Sequence, residues 1–338
     1  MQPNLSVIIV AHVRRDYIKF AIDSVLDQSA PRNSYEIIVV KNFSQQEYDH
    51  ELEKRGIRVI ITEEESLGSK IALGIENSSG EILSFLEDDD VFCRDKIKNV
   101  IDVMSSERVG YYHNGYTLID GNGKLIGGHL PYVPRSYRRK LVTDTTILTT
   151  NVINKAFLAG GYFNLSCISI RKSVILEKLK VLDGVNVAVD NFMFFLGLDS
   201  GLDIVIDKSP LTKFRIHKAN SSIVTGVEKS VFYEKKIKFF EDDFNSLFSI
   251  FSLVRNTEVK KYLSCRVLVP LLALAMLRTG GNEAKTDLGS ALVCAFKIKS
   301  KELLVLILLN SVNKVVKNFG NWLFFQYENR RMKKLYGD

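Results

Sequence analysis

Between residues 5 and 86, four short β-branched runs alternate with three amphipathic stretches, and this order narrows the fold more than any other feature of the chain. Leu5–Val10 (LSVIIV), Glu36–Val40 (EIIVV), Ile57–Ile61 (IRVII) and Ile82–Leu86 (ILSFL) are nearly continuous apolar runs. Strands buried on both sheet faces have this composition. The intervening Arg15–Gln28, Gln45–Arg55 and Ser69–Asn77 carry apolar residues at three- and four-residue spacing, as at Tyr17, Phe20, Ala21 and Val25. A βαβαβαβ order predicts an α/β fold with a Rossmann-like, mostly parallel central sheet whose ligand crevice lies at the strands' carboxyl ends. Functional residues are therefore expected just after strands.

Gly110–Leu130 reads as hairpin material, because five glycines break two short apolar runs. Pro131–Phe163 is polar, Thr-rich and basic, a candidate loop over the crevice. Leu165–Arg171 returns as a strand, Arg171–Lys180 and Val189–Leu198 as helices, and Ile204–Ile206 and Leu211–Ile216 as strands. Beyond Ser222 only helical spacing remains, as at Phe240, Phe244, Leu247 and Phe251. A boundary near residue 226 is expected, separating a domain of residues 1–226 from a helical region of 227–338.

Charge follows this division. The chain carries 46 Lys/Arg and 39 Asp/Glu, of which 19 and 11 fall after residue 226, so the last third is +8 and the rest −1. Cys93, Cys167, Cys265 and Cys294 show no CxxC spacing and imply neither a zinc site nor a disulfide framework. The start, MQPNLSVIIVAH, lacks a basic segment ahead of a cleavable apolar one, so a cytoplasmic protein is expected.

The strongest local signal is Glu87-Asp88-Asp89-Asp90, placed directly after ILSFL. Adjacent carboxylates repel one another and become favourable mainly around a divalent cation. A solvated acidic turn is the plainer alternative. Mg2+ or Mn2+ held by one or two carboxylates, its shell completed by phosphate oxygens, is the arrangement suited to a nucleoside diphosphate.

Taken together, LSVIIVAHVRRDYIKFAIDSVLDQS, EIIVV, Gly68…Ala72…Gly74-Ile75, Gly80-Glu81 and FLEDDD resemble the nucleotide-binding half of an inverting, GT-A-fold family 2 glycosyltransferase. The likeness continues through Cys167–Ile175, Val189-Asp190-Asn191, Arg215-Ile216-His217 and Asn220-Ser221-Ser222, covering about residues 4–222. It implies a transferase acting on a nucleoside-diphosphate sugar, with a glycan or lipid-linked acceptor. The family's DxD motif falls on Glu87-Asp88-Asp89 or on Asp88-Asp89-Asp90. Glu87 and Asp88 are then expected at the donor, and Asp89, Asp90 and His217 at the metal. Ala11, His12 and Arg14, Lys41 and Asn42, and Lys70 are expected along the nucleotide. Relatives commonly end the second strand in Asp-Asp; Lys41-Asn42 stands there instead, and Lys donates hydrogen bonds where a carboxylate accepts them. The resemblance makes Asp190 the catalytic base; a helix cap is its alternative role.

In the basic tail, Val267–Leu277 and Leu303–Leu309 fall short of the ~20 apolar residues that span a bilayer. Lysines, arginines and aromatics lie close to the second run, a composition suited to an anionic membrane surface. So many large aliphatics argue against nucleic acid, while a homodimer interface is an alternative. A nucleotidyltransferase is the rival enzyme class, but Ala11–Asp16 has no glycine for a phosphate loop. A non-catalytic nucleotide-sugar-binding assembly subunit is the rival outside enzymes.

Overall fold

The computed structural model describes residues 3–13, 15–127, 141–217, 228–278, 287–315 and 319–336. The chain forms two compact units, Met1–Leu148 with Lys155–Ile216, and Thr149–Asn154 with His217–Asp338. The expected boundary at residue 226 falls among 218–227, outside the described residues.

In the first unit, β1 (Leu5–Ala11), β2 (Tyr35–Lys41), β3 (Arg58–Ile61) and β4 (Ile82–Glu87) match the four expected strands. Helices α1 (Ile18–Leu26), α2 (Gln46–Lys54) and α3 (Leu67–Glu76) lie between them. Then come β5 (Val91–Phe92), α4 (Lys96–Met104), β6 (Val109–Ile119), β7 (Leu125–Ile126), β8 (Leu141–Thr143) and α5 (Thr150–Leu158), whose residues up to Asn154 count with the second unit. The unit continues through β9 (Ile168–Arg171), α6 (Lys172–Ile175), α7 (Leu179–Leu182), α8 (Val189–Asp199) and β10 (Asp203–Arg215). The sheet order is β3-β2-β1-β4-β9-β6-β10-β5, with β7 beside β6 and β8 beside β10. Strands β1–β4 pair in parallel, as do β6 and β10, and β9 runs antiparallel between β4 and β6. The expected α/β, mostly parallel fold is observed.

Burial accounts for the apolar runs. All seven residues of β1 are buried. Leu5, Val7, Ile9 and Ala11 share one core with Ile18 and Ile22 of α1 and with Ile97 and Val100 of α4. Against Ile8 lies α3, seated through Gly74. A Cβ there would stand 2.5 Å from Ile8 Cγ2 and 3.3 Å from Val40 Cγ2. Any side chain would lift the helix from the sheet.

Three expectations are corrected. The hairpin is β6–β7, but β6 runs unbroken through Gly115, because a missing side chain makes room for the Lys208 carbonyl, 2.5 Å from where a Cβ would sit. Ile204–Ile206 and Leu211–Ile216 are halves of one strand, β10, whose register slips on both sides of Pro210. A bulge accommodates a residue that cannot donate to the ladder. The loop read over 131–163 contains β8 and α5, while 128–140 lie outside the described residues.

The described residues of the second unit after His217 form helices α9 (Lys229–Leu253), α10 (Thr257–Arg266), α11 (Leu268–Leu277), α12 (Leu288–Lys297), α13 (Lys301–Val315) and α14 (Phe319–Tyr336). Phe232, Leu272, Ala273, Met276, Leu303 and Phe324 lie in its core. Cys265 and Cys294 form a disulfide with a Cα–Cα distance of 5.2 Å, joining α10 to α12. The spacing had implied no disulfide framework, and this pair of cysteines 29 residues apart became neighbours only through packing of their helices. No described helix is long and apolar enough to cross a membrane.

Candidate functional site

The acidic turn continues β4 into a tight bend, with the Asp88 N–H donating to the Val10 carbonyl at 3.1 Å and the Asp90 N–H to the Glu87 carbonyl at 3.2 Å. Asp88, Asp89 and Asp90 are buried and Glu87 is part-buried. Burial first, and then the charges of Asp89, Asp90, Asp190 and Asp88, raise the Glu87 carboxyl well above its ordinary range. Asp90 is pushed up to about 7 by burial and by Asp89, against hydrogen bonds from the Arg215 backbone, Ser166 and Asn164 that favour its ionised form. Such crowding is relieved by a proton or a cation.

Arg215, ending β10, clamps this turn. Its N–H donates to Asp90 Oδ1 at 2.9 Å, its Nε to the Asp89 carbonyl at 2.7 Å, and one guanidinium nitrogen to the carbonyls of Asp120 and Gly121 at 3.1 Å each. The guanidinium also lies 4.6 Å from the Tyr17 ring centroid.

Asp190 occupies the first turn of α8, and burial pushes its carboxyl up to about 6 despite donors from the Asn191 and Asn164 backbone. The Asn191 N–H meets Oδ1 at 2.8 Å and the Asn164 N–H meets Oδ2 at 3.2 Å. The Asn164 amide donates to Asp90 Oδ2 at 3.1 Å, so one residue bridges Asp190 and the acidic turn. Asn164 holds φ at 66°, a left-handed conformation that Asn tolerates better than most residues. Its segment is pinned by β6 and β10. Tyr111 Oη donates to the Gly161 carbonyl at 2.6 Å, neutral His113 through Nε2 to the Phe163 carbonyl at 2.7 Å, and Thr212 Oγ1 to the Ser166 carbonyl at 3.1 Å. Buried Lys96, its ammonium lowered to about 8 by burial, also reaches the Ser166 carbonyl, at 3.4 Å. Sequence reasoning missed this support; only the glycine pair before Tyr162 marks a special backbone.

The other expected residues gather at the ends of β1 and β2. His12 Nδ1 lies 3.0 Å from both Asn42 Nδ2 and Lys70 Nζ, and the Lys70 ammonium also donates to the Glu65 carbonyl at 2.7 Å. With Nδ1 accepting, the imidazole proton sits on Nε2. Asn42 Oδ1 accepts from the Val13 N–H at 2.9 Å and holds a turn in which Val13 has φ 60°, rare for a β-branched residue. Lys41 departs from its expected role. Its side chain is fully buried and ion-paired to Asp49 beside the Phe43 ring, so it stabilises the interior instead of facing a nucleotide. Ala11 likewise turns its methyl into the core. Arg14 and Asn220-Ser221-Ser222 lie outside the described residues.

Among the described residues, no three His, Cys, Asp or Glu side chains form a group able to hold a metal ion. Of the expected metal residues, Asp90 accepts from the Arg215 N–H and the Asn164 amide. The crowded carboxylates fit a hard cation held by one or two of them and completed by oxygens from a ligand.

Residues 6–162 match the family model described as Glycosyl transferase family 2. An uncharacterized glycosyltransferase of Rickettsia bellii is 24% identical over 257 residues, 74% of this chain and 33% of its own length. The putative teichuronic acid biosynthesis glycosyltransferase TuaG of Bacillus subtilis is 32% identical over 131 residues, 36% of this chain and 50% of TuaG. The chain thus spans a third to a half of these relatives' length. Among solved structures, S. aureus TarS 1-349 in complex with UDP superposes with TM-score 0.52 at 14% identity, over 99% of this chain and 89% of that one. Mannosyltransferase PcManGT from Pyrobaculum calidifontis, in complex with GDP-Man and Mn2+, gives TM-score 0.54 at 13% identity, over 99% and 88%. At such identities the likeness is one of fold.

Proposed function

We propose that this chain, whose residues 6–162 match the family model described as Glycosyl transferase family 2, transfers a sugar from a nucleoside diphosphate to an acceptor hydroxyl with inversion. The acceptor oxygen bonds to the anomeric carbon from the face opposite the diphosphate and gives its proton to Asp190. The anomeric carbon–oxygen bond breaks, and its electron pair leaves with the nucleoside diphosphate. Asp190, held near 6, is ionised at neutral pH yet more basic than a solvated aspartate, which suits a general base. The observation that carries this reading is the Asn164 bridge, one residue holding the base with its N–H and the acidic turn with its amide.

Asp89, with Glu87 beside it, would hold Mg2+ or Mn2+, and that ion would supply positive charge against the leaving diphosphate. His12, Asn42 and Lys70 form the nucleotide side. The acceptor is a glycan or lipid-linked glycan, a reading supported by the name of TuaG. Catalysis belongs to residues 1–226, and the +8 segment after them works at the cytoplasmic face of a membrane.

The test incubates the full chain with UDP-, GDP-, CDP- and dTDP-sugars, with and without Mn2+, over soluble and lipid-linked acceptors. Product of inverted configuration is expected with one donor class. Donor binding without turnover on any acceptor would make the chain a binding subunit, and a retained configuration would remove Asp190 from its role.

A further inference from the structure

Helix α12 packs against its own composition. It turns small residues inward, with Ala291 and Ala295 buried in the core of the second unit and Cys294 bonded to Cys265. Its large residues point outward. Leu292, Val293 and Phe296 are 41%, 68% and 67% exposed. Their spacing puts them on one face, one turn beyond exposed Gly289. Single exposed apolar residues are ordinary, but three on one turn make a patch that calls for an occupant.

Charge identifies the occupant. Lys297, Lys299 and Lys301 are exposed where the helix ends, and no acidic residue occurs from Leu288 to Lys301. The two flanking acids are engaged. Asp287 accepts from the Gly289 N–H and Ser290 Oγ, and Glu302 lies 3.9 Å from Arg266. A second copy docking through this face would bring lysines against lysines. An anionic lipid surface accepts both the apolar side chains and the cations.

We propose that the outward face of α12 docks on an anionic bilayer, lying in the headgroup plane with Leu292, Val293 and Phe296 inserted and the lysines over the phosphates. Ala291 and Ala295, seated in the core, fix the roll of the helix and keep this face outward. The proposal deepens the membrane-face reading above and rests on it for its purpose.

Co-sedimentation of the full chain with phosphatidylglycerol/phosphatidylcholine vesicles, and with phosphatidylcholine alone, tests it. The wild type should bind the anionic vesicles and release as salt rises. Lys297→Gln/Lys299→Gln/Lys301→Gln should weaken binding roughly a hundredfold at low salt. Leu292→Ser/Val293→Ser/Phe296→Ser should weaken it about tenfold or more. Circular dichroism checks both folds; if the serine variant misfolds, the lysine variant and the salt series decide. A wild type that stays in the supernatant, variants that bind like it, or a dimer lost in the variants by light scattering each overturns the proposal. Turnover on a soluble acceptor, measured in parallel, is expected to be unchanged in both variants. A chain that binds vesicles but transfers nothing refutes the enzymatic reading alone, and one that transfers but ignores vesicles refutes the docking face.

Discussion

At the carboxyl end of β4, the charges of Asp88, Asp89, Asp90 and, from α8, Asp190 raise the Glu87 carboxyl, and the Asn164 amide donates to Asp90. At the ends of β1 and β2, by contrast, Lys41 is matched to Asp49, and Lys70 to a carbonyl and an imidazole. Burial and mutual repulsion at the first end raise the Glu87 and Asp90 carboxyls, a crowding that a proton or a cation relieves. The other end has its buried cations partnered before any ligand arrives.

The sharpest way to break this contrast is Asp89→Asn. If the acidic end answers a cation, the variant should lose transfer altogether and its Mn2+-dependent donor binding; near wild-type rates in Mn2+ buffer would refute the assignment. Lys41→Met comes next. It should destabilise the fold by about 3 kcal/mol, since Asp49 keeps a buried charge without its partner. Donor affinity should stay unchanged, and Lys41→Met/Asp49→Leu should recover most of the stability in urea melts. A fall in donor affinity with stability intact would return Lys41 to the nucleotide. Asp190→Asn should cut kcat by ~10²-fold or more while sparing donor affinity. Equal losses in both would make it a helix cap only. The smallest effect is expected for Asn164→Gly, which keeps the φ of 66° available but removes the amide that meets Asp90. A kcat reduced about tenfold with unchanged acceptor KM fits loosened positioning; unchanged kcat would leave the bridge structural.

The parallel strands were legible because burial on both faces removes the need for polar alternation, and the acidic turn because four carboxylates in succession are costly without a reason. Other features were hidden by distance along the chain. Lys41 follows an apolar strand as a ligand-binding residue would, and nothing local reveals that Asp49 of α2 neutralises it. Asn164 belongs to no motif. It matters because Tyr111, His113 and Thr212, scattered over two strands, fix the segment around it. Pro210 reads as a strand end, and only the register slips beside it show how the sheet absorbs it.

Gly74 stands four residues after Lys70, one turn along the same helix. Since the glycine lets α3 sit against Ile8 with no side chain between them, it also sets how deep the Lys70 backbone lies relative to the sheet. The 3.0 Å reach from Lys70 Nζ to His12 is gauged from that seat. Gly74 thus works as a spacer of zero thickness, and the place from which Lys70 reaches His12 is written in the absence of a methyl group a full turn away.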